Sequence, residues 1–455
     1  MQQFSSQVHA PFTLDFKSAY SLNYVVIRKL VVMIRNSHRT LLPCKLFTPA
    51  FALSFGLTFA LFAPVGSYAD DSSTARKLHE SLIVMDTHLD TPAQLVKPGF
   101  DIMARHNPRT DYSQVDYPRM QDGGLDGGFW VIYSSQGALT TQGYQASRDT
   151  ALLRALAIHK MTAAHPESFE LALAPEDAAR ITGAGKRIVY LSIENSYPLG
   201  EDISLLKTFF DLGVRMVGPV HFSNNQFADS STDPVGQKWQ GLSPLGRELV
   251  KEANRLGIIL DGSHAHDLAV IQMIELSKTP IILSHTGAEV IYDHPRNVSD
   301  AILTKLAETG GVIHMNAYGS YLKELPDNPG RTKAVTEMRA AMNAAGTLTP
   351  AQTDAFMDQR RAIDAEHPAA LASFEDYMEH FLHVLALIGP DHVGVGADWD
   401  GGGGVDGMYD ISEFPKITER LLQEGYTKDD LAKIWSGNVL RLLGQAQAYA
   451  EALAQ

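Results

Sequence analysis

The chemistry of this chain begins at His88-Leu89-Asp90, which follows the apolar run 82–85. On a strand, side chains two apart share a face, so His88 and Asp90 would point together off one strand end. An imidazole beside a carboxylate suits a divalent metal such as zinc. Later apolar runs end in residues of the same kind. Run 187–193 leads to Glu194 and run 215–221 ends in His221. Run 257–261 leads to His264, run 280–284 to His285 and run 392–397 to Asp398. A lone histidine at a strand end is usually a hydrogen-bonded structural residue. Four histidines and three carboxylates at equivalent positions need a cation, because so many clustered titratable groups are costly without one. They exceed the needs of one ion. Two ions roughly 3.5–4 Å apart, bridged by a Glu, could activate water and polarise a carbonyl.

Such a set requires elements that bring distant strand ends to one rim. Runs 128–133 and 311–316 complete a series of eight, with amphipathic stretches between them such as 149–164, 245–256 and 300–309. Several runs are apolar throughout, as in parallel strands covered on both faces. The α/β pattern predicts a (β/α)8 TIM-type barrel, whose active site lies at the C-terminal strand ends. An open doubly wound sheet is the rival, weakened because no Gly-x-Gly-x-x-Gly follows the first run. Residues 320–375, with Pro326, Pro329, Pro350 and Pro368, predict a helical insertion before the last strand, over the barrel mouth. The tail 411–443 is expected to be helical and to pack outside the barrel. Glycines 401–404 lack a following Gly-Lys-Ser/Thr, so they form no P-loop and instead let backbone approach a ligand.

The chain has 455 residues and a net charge of −14, which argues against a nucleic-acid partner. Residues 1–69 read as a secretory signal peptide: basic residues, an apolar stretch 47–65, then Gly66-Ser67-Tyr68-Ala69. Met33 is an alternative start for this long segment, and an uncleaved anchor is the competing reading. Residues 70–455 then form a single barrel domain, secreted or periplasmic. The sole cysteine, Cys44, falls in the signal, which leaves no disulfide or thiol nucleophile beyond it.

Longer stretches carry a family resemblance. They are Asp86-Thr87-His88-Leu89-Asp90-Thr91-Pro92, Asp116-Tyr117-Pro118-Arg119-Met120-Gln121-Asp122-Gly123-Gly124 and Gly127-Gly128-Phe129-Trp130. They continue through Ser192-Ile193-Glu194, Leu283-Ser284-His285, Arg296-Asn297-Val298 and Gly394-Val395-Gly396-Ala397-Asp398-Trp399-Asp400-Gly401. Together they resemble the membrane, or renal, dipeptidase family of zinc peptidases, within the amidohydrolase-like barrels. The resemblance runs from about Ile83 to Leu443. It implies two zinc ions: His88 and Asp90 on one, His264 and His285 on the other, and Glu194 between them. It further implies Asp398 as the proton-transfer group, His221 as a support for the carbonyl or oxyanion, and Arg296 as a clamp on the substrate's C-terminal carboxylate. The implied reaction is hydrolysis of dipeptides, with a D-residue at the C-terminal side among the expected substrates.

Departures from the family pattern fall on the pocket rim, at Ala93 or Gln94, at Asn195-Ser196-Tyr197 and in Gly218-Pro219-Val220-His221-Phe222. They bear on side-chain preference rather than on the metals. Tyr318, Asn316 and Tyr133 are candidates for the pocket wall. His266, His294, His314, His380, His383 and His392 lie off the strand-end pattern. A barrel hydrolase of N-acyl amino acids or lactones is the alternative activity, although Arg296 favours a carboxylate-bearing substrate. A solute-binding remnant would have broken ligand positions, and none is broken. The apolar tail of a C-terminal lipid anchor is missing, so no anchor is expected. A homodimer is among the expectations, because related enzymes often dimerise.

Overall fold

The computed structural model describes residues 68–345 and 349–455. The expected signal, 1–69, lies outside the described residues except for Tyr68 and Ala69, which open a helix spanning Tyr68–Glu80. The described residues form one compact unit. Among the described residues, no helix is long and apolar enough to cross a membrane.

Strand β1 (Met85–Leu89) begins where the first apolar run ends, so His88 lies within the strand rather than beyond it. All five of its residues are buried, as expected of a strand covered on both faces. It is followed by β2 (Gly127–Ile132), β3 (Phe169–Leu171), β4 (Arg187–Ile193), β5 (Val214–Val217) and β6 (Ile259–Leu260). These pair in the order β1-β2-β4-β5-β6, with β3 against the start of β4. Next come β7 (Ile282–Ala288), β8 (Asn297–Val298), β9 (Val312–Met315) and β10 (Val393–Val395), in the order β10-β9-β7-β8. Every ladder is parallel. Single parallel bridges, Asp261 to Ile282 and Leu89 to Trp399, join the two sheets at both seams. With β3 and β8 set aside, eight strands follow one another in chain order around a closed (β/α)8 ring.

The helices between strands carry local start and stop signals. In Pro244–Leu256, the Ser243 hydroxyl accepts from the Gly246 N–H, Pro244 fits the first turn, and Gly257 closes the helix at φ 73°. Leu249, Val250, Ala253 and Leu256 form its buried face. A buried cluster of Met85, Phe129, Tyr190, Met216, Ile259, Ile282 and Val312 fills the barrel interior, and Met85, Ile259, Ile282 and Val312 are the first residues of their strands. Val439, Leu442, Leu443 and Ala446 of the last helix, Asn438–Ala454, join that cluster. The helix Pro415–Gln423 of the same tail packs against Tyr68–Glu80, outside the barrel as expected, whereas the last helix packs on this cluster. The reason is the apolar lumen: sealing it contributes about 1.5–3 kcal/mol per fully buried large side chain.

Between β9 and β10 the chain forms the helices Pro329–Ala345 and Pro350–Glu366. They dock on the loop that follows β1, at the C-terminal side of the ring. The Tyr112 hydroxyl donates to Asp364 (2.7 Å), and Arg361 donates to the Thr110 carbonyl (3.0 Å).

Candidate metal centre

Two buried carboxylates hold the seams where the ladder is reduced to single bridges. Asp86 accepts from the N–H of His88 (2.7 Å) and, across the seam, from the N–H of Ala397 (3.0 Å). Asp261 accepts from the N–H groups of Ser263 and Ser284 (3.0 Å each) and from the Ser284 hydroxyl (2.5 Å). Each carboxyl supplies acceptors where ladder bonds are missing, and burial pushes the Asp86 carboxyl up to about 7. The residues fixed beside them are His88 and Asp398 at one seam and His264 and His285 at the other.

His264 and Asp398 adopt left-handed backbone, at φ 66° and φ 65°. Non-glycine residues occupy that region at a cost, and such strain gathers at functional sites. The His264 carbonyl is held by the Ser231 N–H (2.8 Å), and the Asp398 carbonyl accepts from Gly401, Gly402 and Gly403. Gly401 is needed for closeness: a Cβ there would lie 2.2 Å from both Asp398 Oδ1 and Asp90 Oδ2. His221 sits on a loop rather than on a strand, because β5 stops at Val217 and Pro219 has no N–H to continue the ladder. Asp229 accepts from Lys238, Trp239 and Gly241 to pin that loop. The Ser230 hydroxyl donates to the His221 carbonyl (2.5 Å).

These supports bring all seven residues together. Glu194 Oε1 lies 3.0 Å from His264 Nε2, 3.5 Å from His221 Nε2, and 3.6 Å from the Nε2 atoms of His88 and His285. His88 Nε2 is 3.7 Å from Asp90 Oδ2. Three groups each offer ligand atoms within 4.8 Å of one another: His88–Glu194–His285, Glu194–His221–His264 and His88–Asp90–Asp398. All of these residues are buried except His221, which is nearly so.

The electrostatics are those of a cluster short of positive charge. Burial pushes the carboxyls of Glu194 and Asp398 above their usual range. Burial alone would lower His88, but Glu194, Asp90 and Asp398 outweigh it and raise the imidazole. Burial first, then neighbouring cationic groups, pushes His264 and His285 well down. They are thus neutral and able to ligate, and their Nε2 atoms face each other at 2.8 Å. His88 Nε2 and Asp90 Oδ1 are buried with no hydrogen-bond partner among the described residues. Converging neutral imidazoles, carboxylates and orphaned ligand atoms fit divalent metal.

A cavity of about 270 Å³ opens over this cluster, with Tyr133, Phe222, Tyr318 and Tyr321 in its wall. Tyr318 stacks on Tyr321, with ring centroids 4.3 Å apart. Arg296 is buried behind this wall, its guanidinium 5.5 Å from the Tyr321 ring. The pairing of β8 with β7 brings it there, and Nη2 donates to the His285 carbonyl (2.9 Å). Its Nε has no partner among the described residues. Asn316 lies beside Asp398, and its Nδ2 donates to the His285 carbonyl (3.4 Å).

The other histidines are engaged elsewhere. His314 bonds the Val395 carbonyl, His380 the Leu322 carbonyl, His383 Asp300, and His392 the Gly311 carbonyl. His266 accepts from the Leu268 N–H and His294 from the Arg296 N–H. Sequence reasoning missed Asp86, Asp261 and Arg154. Asp86 had a signal, since it shares the strand face of His88 and Asp90. Arg154 had none: it is one polar residue on the helix Thr141–Ala164, yet it lines the cavity.

A closed parallel barrel with buried histidines and carboxylates at its strand ends defines a metal-dependent hydrolase. Residues 72–455 match the membrane dipeptidase family (peptidase family M19), and the chain belongs to it. It is a dipeptidase of the metallopeptidase kind. Dipeptidase aclJ of Aspergillus oryzae is 30% identical over 349 residues, covering 75% of this chain and 72% of that protein. Dipeptidase 3 of Macaca fascicularis is 27% identical, covering 84% and 69%. The crystal structure of the probable dipeptidase PvdM from Pseudomonas aeruginosa superposes with a TM-score of 0.71 at 29% identity, covering 84% of this chain and 100% of that one.

Proposed function

We propose that the chain hydrolyses dipeptides with a free C-terminal carboxylate, using two zinc ions bridged by Glu194. The observation that carries this is the convergence of four imidazoles on Glu194 Oε1 within 3.6 Å. His88 and Asp90 would hold one ion, His264 and His285 the other. When bound, the ions supply an activated water and polarise the scissile carbonyl. Asp398, whose carboxyl burial pushes up to about 7, takes a proton from the attacking water and returns it to the leaving amine. His221, which burial pushes down to about 3, remains a neutral donor towards the carbonyl oxygen. Arg296, with its free Nε, recognises the substrate carboxylate, while Tyr318 and Tyr321 shape the pocket beside it. A D-residue at the C-terminal side is part of this reading. Residues 1–69 serve as the export signal and deliver the enzyme to the periplasm or outside the cell.

The test is a panel of L-L, L-D and N-acetylated dipeptides, with the protein zinc-loaded, chelated, and carrying Arg296→Ala. Zinc-dependent cleavage of free dipeptides, with KM raised in the variant, is expected. Cleavage of N-acetylated compounds alone would overturn the substrate assignment. Unchanged turnover after chelation would overturn the metal assignment.

A further inference from the structure

Arg154 is unexplained by the chemistry above. It lies on the cavity wall beside the metal cluster, and its Nε and Nη1 are buried with no partner among the described residues. The Tyr133 ring faces its guanidinium, with the centroid 5.3 Å away. A buried guanidinium left with free donors is costly unless an anion reaches it. The negative charges it feels are Asp90 and Glu194. Both are ligands in the metal reading, so bound cations would cancel their help and leave Arg154 in still greater need of an anion.

Its position is as informative as its lack of a partner. Arg154 belongs to the helix after β2, and Arg296 to the segment after β7. Around the ring β1-β2-β4-β5-β6-β7-β9-β10, β2 and β7 are four places apart out of eight. The two arginines therefore stand on opposite sides of the metal cluster. A dipeptide with its C-terminal carboxylate at Arg296 has its N-terminal residue on the side of Arg154.

We infer that Arg154 is a specificity residue that binds a carboxylate on the side chain of the N-terminal residue, so that the preferred substrates are acidic-first dipeptides such as Glu-Ala. This rests on the dipeptidase reading above. A guanidinium binds carboxylate in a bidentate fork, whereas a neutral amide offers only one acceptor in the same place.

The experiment compares Ala-Ala, Glu-Ala and its neutral isostere Gln-Ala with the zinc-loaded enzyme, in wild type, Arg154→Met and Arg154→Lys. Wild type is expected to favour Glu-Ala over Gln-Ala by at least about tenfold in kcat/KM, mostly through KM. Arg154→Met is expected to bring that ratio to within about twofold of unity, and Arg154→Lys to an intermediate value. Equal rates for Glu-Ala and Gln-Ala in wild type would overturn the inference while leaving the dipeptidase reading intact. So would an unchanged ratio in Arg154→Met, which would make Arg154 merely a support for Tyr133. No turnover of any of the three would overturn the dipeptidase reading, and this one with it.

Discussion

His79, far from the metal cluster, gives the most quantitative prediction. It is fully buried in the helix Tyr68–Glu80, edge-on to Trp435 with ring centroids 5.1 Å apart. The Trp435 N–H donates to the Thr418 hydroxyl (2.9 Å), which donates to His79 Nδ1 (2.7 Å). His79 Nε2–H donates to the Gly123 carbonyl (2.9 Å). That chain of bonds needs a neutral ring, and burial lowers its pKa from 6.5 to about 4. The folded state thus binds the proton more weakly than the unfolded state. The stabilising contribution is complete above pH 6.5 and is lost as pH falls to about 4. One proton corresponds to about 1.4 kcal/mol per pH unit, so the loss across that window is about 3 kcal/mol. His79→Gln keeps an acceptor and a donor but cannot titrate. Urea unfolding followed by tryptophan fluorescence across this window is expected to show a shallower acid slope in the variant, by about one proton. Both proteins share the metal-site histidines, so the difference isolates His79. Parallel slopes would refute the reasoning.

Asp398→Asn should lower kcat by about 10²–10⁴-fold with KM little changed, because proton transfer is lost while the substrate contacts remain; a large rise in KM with kcat retained would contradict that role. Gly401→Ala should cut activity while circular dichroism stays that of the wild type, since a Cβ 2.2 Å from the Asp90 and Asp398 oxygens must displace them. Wild-type activity in this variant would show that their placement does not matter. Asp261→Ala leaves the Ser263 and Ser284 donors without their acceptor. It should cost about 3 kcal/mol or more of stability and reduce bound zinc, read by denaturation and metal analysis.

Much of the site was legible because its signals are local. A period of two put His88 and Asp90 on one face, and the apolar runs before Glu194, His285 and Asp398 marked strands whether or not their limits were right. Those limits moved for local reasons too. His285 lies inside β7, since the strand continues to Ala288, and His221 lies on a loop, since Pro219 ends β5. The alternation of apolar runs and helical stretches was enough to predict a parallel α/β fold, because parallel strands buried on both faces need a crossover helix between each pair, and the count of eight favoured a barrel over an open doubly wound sheet.

Ring closure is a different matter. Asp86 and Asp261 matter because the ladder narrows to single bridges at two seams, and no run of residues announces a seam. Covering the lumen with the last helix depends on the space the closed ring leaves. Arg154 reads in sequence as a polar residue of an amphipathic helix; only packing of that helix against β2 carries it to the cavity, with its donors free. The sequence by itself determined which side chains could ligate metal and that strand ends would present them. The tertiary structure alone decided which charges face one another across the barrel, because that depends on contacts between separate segments, from about twenty to more than three hundred residues apart in the chain, not on any pattern within one segment.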